Sequence, residues 1–438
     1  MVPSFARWIA AVVFLCLFSP EALYARQWSG NVSVTFDSLP NRSDTYELRS
    51  RFFLETTFEP TLNLRITLSG FAEGLFAERE SIEPPDVVTR TRITDVITRP
   101  QDINMELTIG NLDLLVGYAR VVWGRLDELQ PTDVINPLDV SRFFFEGRGE
   151  ARLPVGLVRA RLSLGEHATI DGVYVPVFQR GRFDLLDEAT SPFNPLPAFG
   201  GGDVACLAIG CPVPVRTERL KPEFASENWQ GGGRLSVTVG RVDWSLSAYR
   251  GFEPFGVLVA TPEPDGAILI SETYPRFTMF GADFETVFGE WGLRGEIAVF
   301  PEDNFQSPLL QRVEGRSIEG GIGFDRSAGS YTFSGTLLVH SETYDAPLEP
   351  GAIETSRSDV SVIGSAERSF AQERYRLRGF AVYNTTEESG FLRGIAIVKL
   401  SDNVALEGSG GWFVREGRDA IGRFSNNDFV YGRLKFYF

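Results

Sequence analysis

Apolar and polar residues alternate along most of this chain. From Trp28 to Asp37, Trp28, Gly30, Val32, Val34 and Phe36 share one face of an extended strand, with Ser29, Asn31, Ser33, Thr35 and Asp37 on the other. Leu62, Leu64, Ile66 and Leu68 oppose Asn63, Arg65, Thr67 and Ser69 in the same way, and Tyr331, Phe333, Leu337 and Val339 oppose Thr332, Ser334 and Thr336. A period of two is that of a strand with one apolar and one polar face. Roughly eighteen such segments of about nine to fifteen residues can be counted, the length that crosses a bilayer at a tilt. A few stretches, such as Phe391 to Leu400, are ambiguous.

The connections alternate short and long. Short links rich in Gly, Asn, Asp and Ser lie near 59–61, 110–113, 165–167, 240–243, 289–291, 326–329, 371–373 and 401–403. They read as hairpin turns. Longer links fall at 77–100, 124–148, 177–227, 252–272, 300–314, 342–356 and 415–426. Alternating turns and loops describe an all-β fold: a transmembrane antiparallel β-barrel of about 18 strands, with 16 as the alternative count. Both termini then lie at the end with the short turns.

The two ends agree. At the C-terminus Val430, Leu434, Phe436 and Phe438 share one face, with Tyr431, Arg433 and Lys435 on the other. A closing amphipathic strand that ends on Phe resembles the last strand of bacterial outer-membrane barrels. The resemblance implies that Phe436 and Phe438 serve as a signal to the outer-membrane assembly machinery. At the N-terminus Arg7 precedes an apolar run, Trp8 to Phe18, followed by Leu23-Tyr24-Ala25. This is the pattern of a signal peptide over residues 1–25, leaving 26–438 as a single barrel. The run is too short to cross a bilayer as a helix. Val13-Phe14-Leu15 are too bulky for the small-residue pattern that would make Cys16 a lipidation site.

Composition narrows the class. The 44 glycines and 35 phenylalanines suit a barrel with aromatic girdles. A formal charge of -16 argues against nucleic acid as a partner. Cys206 and Cys211, five apart in the long 177–227 loop, read as a local disulfide in an oxidising compartment. No His lies near them, and neither a metal site nor a cofactor is expected.

Arginines recur on the faces that would point into the lumen: Arg49, Arg51, Arg65, Arg159, Arg161, Arg234, Arg294, Arg374, Arg376 and Arg378, with Arg433 and Lys435 on the closing strand. Opposing acids are fewer, among them Glu55, Glu106, Asp171, Glu296 and Glu407. Arg374, Arg376 and Arg378 would stack up one wall. Guanidinium groups bind carboxylate in a bidentate fork and stay charged. They suit an anion path, and they equally suit bracing of a wide barrel by ion pairs.

Segment 120–148 is unusually apolar for a surface loop, with Val134, Ile135, Leu138 and the run Phe143, Phe144, Phe145. It follows the fifth strand and so forms the third outer loop, expected to fold inward as a constriction. Its candidate site residues are Trp123, Asp127, Asp133, Asn136, Pro137, Asp139, Arg142 and the three phenylalanines. Asp127, Asp133 and Asp139 match no calcium-loop spacing. Trp123-Gly124, the acid that follows, and Asp133-Val134-Ile135-Asn136-Pro137-Leu138-Asp139-Val140 resemble a motif in a group of uncharacterised proteobacterial outer-membrane proteins. That resemblance implies a barrel in the outer membrane of a Gram-negative bacterium, some members being encoded beside inner-membrane export pumps.

The chain has two histidines, His167 in an expected turn and His340 beside Ser341, and no G-x-S-x-G, H-E-x-x-H or phosphate loop. His340 and Ser341, adjacent on a strand, point to opposite faces and cannot simply pair. An enzyme is not expected. The expected role is a porin-like channel for small solutes, anionic ones among them. The alternatives are a barrel for export of lipid or hydrophobic molecules with an envelope transporter partner, and a structural or adhesive barrel. Outer-membrane lipids would surround any of these.

Overall fold

A computed structural model describes residues 27–41, 46–83, 87–140, 147–182, 214–348, 351–415, 419, 421–425 and 427–438. The expected signal peptide, Cys206 and Cys211, and Arg142 with Phe143, Phe144 and Phe145 fall outside these residues.

In chain order the strands are β1 Gln27–Ser38, β2 Tyr46–Thr61, β3 Leu64–Glu83, β4 Val87–Ile109, β5 Leu112–Ala119, β6 Val155–Leu164 and β7 Ala168–Val175. Next come β8 Val215–Leu220, β9 Gln230–Val239, β10 Val242–Phe252, β11 Val257–Pro262, β12 Ile268–Thr273, β13 Arg276–Phe288 and β14 Trp291–Gln306. The last are β15 Arg312–Ala328, β16 Tyr331–Tyr344, β17 Ser356–Phe370, β18 Tyr375–Asn384, β19 Ser389–Lys399, β20 Val404–Val414 and β21 Phe429–Tyr437. Eighteen of them form one sheet, and β1 pairs antiparallel with β21, so the sheet closes into a barrel. Closure removes every free edge, which a bilayer demands because it offers backbone groups no water.

Alternation then sorts the side chains. Val34, Phe36, Leu246, Leu337 and Leu434 are exposed on the outer face, while Thr35, Asp37, Arg49 and Ser245 are buried on the inner one. On β6, β7 and β10 the inner face is polar near the turn end. Toward the loop end it becomes apolar: Val155, Leu157, Val173, Val175, Tyr249, Phe277 and Met279 form a buried cluster with Val121, Trp123 and Ile135 of the β5–β6 connection. Segment and wall thus share a dry interface, where a bare lumen would have kept a polar wall.

The turn end follows the sequence signals closely. Gly110 and Gly289 take φ of 63° and 61°, the left-handed conformation that two-residue hairpin turns need. One link shifts: the first turn lies at Leu62 and Asn63, after Pro60, because β2 runs on to Thr61. The loop end departs further. The expected loop 77–100 is a hairpin extension, with Ala77 to Glu83 paired to Ile93 through Val87. Its Val, Ile and Thr residues favour extended backbone even where they leave the membrane. The expected loop 300–314 is likewise shortened by β14 and β15. Loop 252–272 contains β11 and β12, which with β8 from loop 177–227 make a separate three-stranded sheet over the barrel rim.

The seam is tied by Phe438. Gly30 N–H donates to the Phe438 carbonyl at 3.0 Å and Phe438 N–H to the Gly30 carbonyl at 3.1 Å. The Phe438 ring lies 6.0 Å from Phe52 and 6.5 Å from Phe436. A Cβ on Gly30 would come within 2.6 Å of that ring, so the seam needs glycine there. Phe438→Ala should weaken closure by about 1 kcal/mol, the usual value of such aromatic pairs. The folded, fast-migrating band on gels should then convert to the unfolded one at lower temperature; an unchanged conversion temperature contradicts the packing account.

At the rim, burial and then the carboxylate of Asp303 push Glu253 up to about 8. A raised folded pKa contributes stability that is present below the ordinary carboxylate value and is lost as pH rises through about 8. The wild-type unfolding temperature should therefore fall more between pH 5 and pH 9 than that of Glu253→Gln, and parallel pH profiles would refute the assignment.

Candidate lumen site

The β5–β6 connection is fastened chiefly to the inner face of one side of the wall, at β9, β13 and β14. Glu296 on β14 is its principal anchor. The backbone N–H groups of Arg125, Leu126 and Thr132 donate to its carboxylate at 2.8, 3.1 and 2.6 Å, and the Thr132 hydroxyl at 2.8 Å. Glu296 is itself buried. A buried carboxylate is tolerable only when such donors surround it, and the donors have no other partner once buried. Asp283 on β13 takes Arg125 at 2.5 Å and Arg234 of β9 at 2.8 Å, and Glu285 takes Arg125 at 2.8 Å. Arg234 also donates to the Trp123 carbonyl. Glu296, Asp283 and Glu285 share one strand face with buried Ser245, opposite the apolar outer face.

Glycines on the wall make room for the segment. Added Cβ atoms at Gly321 and Gly323 of β15 would lie 2.9 and 3.1 Å from Leu126, and one at Gly281 would lie 2.5 Å from Thr132. Leu126 and Trp123 are each only 1% exposed, the Trp123 ring meeting Tyr249 edge-on at 6.3 Å.

The segment also binds itself. The Asn136 side chain accepts from Val121 N–H at 2.7 Å and donates to the carbonyls of Ala119 at 3.1 Å and Leu153 at 2.8 Å. The Pro137 carbonyl takes the Leu153 N–H. Asp133 is held by Arg152, which also reaches Gln130 at 3.0 Å. Asp139 is held by Arg99 of β4 at 2.8 Å and Arg182 at 3.7 Å, and Asp127 by Arg294. Asp127, Asp133 and Asp139 are thus committed to different arginines and do not converge.

The arginines read from the sequence are mostly ion-paired. Arg49 meets Glu47 at 2.9 Å and Asp37 at 3.8 Å; Arg51 meets Glu73 at 2.7 Å. Arg65 meets Glu59 at 2.9 Å and Glu106 at 3.8 Å near the turn end, and Arg159 meets Asp171. Arg294 gathers Asp127, Glu285 and Asp325. Arg161 is exposed on the same face as Arg159, with no ion pair among the described residues. The expected three-arginine stack does not form. Arg376 and Arg378 lie on β18, paired with Glu367 at 3.5 Å and Glu128 at 2.6 Å. Arg374 belongs to the turn instead, because Ala371, Gln372 and Glu373 all take left-handed φ and Arg374 N–H closes on the Ala371 carbonyl. Arg99, Arg120, Arg125, Arg152 and Arg393 escaped the sequence reading. Arg125 and Arg152 sit in the connection, where no period assigns a face.

His340 and Ser341 part company. The His340 ring bonds to Glu342 at 2.9 Å, and Ser341 to Ser358 at 2.9 Å on the other face.

Two cavities lie along the side opposite the anchor. The larger, about 760 Å³, is bounded by Glu128, Leu129 and Leu138 of the segment and by inner residues of β17 to β21. Its wall is mixed, with Ile363, Phe380, Val382 and Ile395 beside Arg376, Arg378 and Arg393. The smaller, about 180 Å³, has six cations on its lining (Arg49, Arg51, Arg99, Arg120, Arg433 and Lys435) against three acids, Glu73, Asp139 and Glu150.

Fold and site define the class: a closed antiparallel barrel with an apolar outer belt, a charged inner face and a connection fastened to that face. Residues 103–356 match the family described as a protein of unknown function, DUF1302, and the chain belongs to that family. The matched span includes the whole fastened connection. No curated protein matches the chain. Similar solved structures include Pseudomonas aeruginosa OccK2 (OpdF) in complex with glucuronate, at 11% identity and a TM-score of 0.49 over 95% of this chain and 98% of that one. Acinetobacter baumannii OccAB3 gives 9% identity and a TM-score of 0.48 over 95% and 100% of the two chains. A BenF-like porin from Pseudomonas fluorescens Pf-5 gives 10% and 0.46 over 95% and 99%. At these values the solute of a neighbour says nothing about the solute here.

Glu296→Ala should orphan three backbone donors and weaken attachment of the connection by about 3 kcal/mol. Single-channel conductance should rise and new protease cuts should appear within 124–139. Unchanged conductance with no new cuts would mean that Glu296 is not the anchor.

Proposed function

We propose that this protein is a passive outer-membrane channel for small solutes, with the 120–148 connection as its constriction. The observation that supports this best is the asymmetry of the inner wall. The connection is bonded most heavily to β9, β13 and β14, with further ion pairs to Arg99 of β4 and Arg378 of β18, and the cavities lie against β17 to β21 and β1 to β4. An apolar belt on a closed barrel suits a bilayer, and the outer membrane of a Gram-negative bacterium is where such barrels reside.

Anion preference is part of the proposal. The small cavity has an excess of cations, and a positive constriction of low dielectric speeds anions and slows cations. The preference should be modest, because the large cavity sets Glu128, Glu367 and Glu407 among its arginines. The arginines brace the wall as well, and one guanidinium can do both. Outer-membrane lipids and the barrel-assembly machinery are the partners this reading requires. Export of lipid through the wall would need a gap between strands, and an envelope transporter partner belongs to that reading. The ladders from β17 to β21 are paired without a break.

Purified barrel in a planar bilayer under a KCl gradient should give steady openings with a reversal potential on the anion side. Arg376→Glu with Arg378→Glu should move that potential toward cation preference. A folded barrel that passes no current would overturn the channel reading. A conducting double variant with unmoved selectivity would leave those two arginines with bracing alone.

A further inference from the structure

The two cavities are not independent. Arg433, Lys435 and Glu150 line both. They therefore meet at β21, beside the barrel seam. One compartment carries an apolar patch, Ile363, Phe380, Val382, Phe391, Ile395 and Ile397, within a mixed wall, and the other is small, polar and cationic.

This apolar inner wall is unusual in its own strand. On β19 Leu392 faces outward and is exposed, so Phe391, Ile395 and Ile397 occupy the inward positions that a lumen normally fills with polar groups. The apolar surface borders a space of about 760 Å³, more than enough for a ring or a short alkyl chain.

The charges at the junction are unequally used. Glu367 is occupied by Arg376, Glu128 by Arg378, and Glu407 by Tyr431 and Arg433. Asp419 accepts from Ser389 at 2.7 Å and from Gly422 N–H at 2.9 Å. Lys435 forms no ion pair among the described residues; its ammonium lies 5.3 Å over the Tyr437 ring. Glu150 borders both cavities too, yet no ion pair joins it to Lys435. A half-buried ammonium beside an apolar chamber is a ready partner for an incoming carboxylate.

From this arrangement we infer that the channel's binding site takes an amphipathic carboxylate: an apolar body against Ile363, Phe380, Val382 and Ile395, and one anionic head at Lys435 and Arg433. The inference rests on the channel reading for its purpose, and names the solute class of that same lumen. It differs from a general anion path, because a small hydrophilic anion would use only the head site. An apolar body without charge would use only the chamber.

The test is calorimetric titration of the folded barrel in detergent with three probes: 3-phenylpropanoate, acetate and 3-phenylpropan-1-ol. Detergent without protein gives the partition blank. The carboxylate with the ring should bind at least about tenfold more tightly than either of the others, since it alone makes both contacts. Lys435→Gln should erode its advantage over the alcohol, and Ile395→Ser its advantage over acetate, each by about fivefold. Both variants must first show the folded gel mobility of the wild type. Equal affinity for 3-phenylpropanoate and either control, or unchanged binding in both folded variants, would overturn the inference. Because binding is read without current, a silent barrel that still discriminates among the probes would refute passive conduction and keep the site. A conducting barrel that does not discriminate would do the reverse.

Discussion

Everything inside this barrel depends on two buried carboxylates, Asp283 and Glu296, on neighbouring strands. They are paired in register, so one patch of wall carries two negative charges. Left alone, that patch would be costly; buried carboxylates need donors or cations within hydrogen-bond reach. The connection from Ala119 to Val155 supplies them, as three backbone N–H groups, a hydroxyl and Arg125, with Arg234 added from the wall. Each side satisfies the other. That mutual need, more than the apolar contacts alone, fixes where the segment sits.

The position of the segment determines the rest of the interior. Where it packs, at the loop-end halves of β6, β7, β10 and β13, the inner wall is apolar and dry. Across from it, the wall from β17 to β21 keeps its space. There the inner face mixes Phe, Ile and Val with Arg and Lys. The unequal lining therefore follows from the covering of one side, and the two halves of the wall are built for different neighbours.

The barrel itself was legible in the sequence because lipid on one face and water or protein on the other imposes a period of two. The turn end was legible for a local reason: hairpin turns require residues that accept left-handed backbone, as at Gly110 and Gly289. Phe391 to Leu400 was ambiguous for a physical cause, since its inner face sets Phe391, Ile395 and Ile397 beside Arg393 and Lys399, and its outer face is apolar as well. The loop extensions at 77–100 and 300–314 were missed because prolines among acids, as in Glu83-Pro84-Pro85-Asp86 and Pro301-Glu302-Asp303, read as loops. The anchors of the segment could not be read at all. Arg125 and Asp283 are 158 residues apart, and only closure of the sheet brings them together. Arg374 was placed on the wall because the turn takes four residues, Arg374 among them, where the expected link spanned only 371–373.

One side of the lumen is covered by the segment and the other is open to water. Cysteine labelling tests it most directly. In a background with Cys206→Ser and Cys211→Ser, Ser245→Cys would stand beneath the segment and Ile395→Cys on the opposite wall. A charged, membrane-impermeant thiol reagent added to the folded barrel should label Ile395→Cys readily and leave Ser245→Cys unreacted until the protein is unfolded. Equal labelling of the two in the folded state would contradict the account.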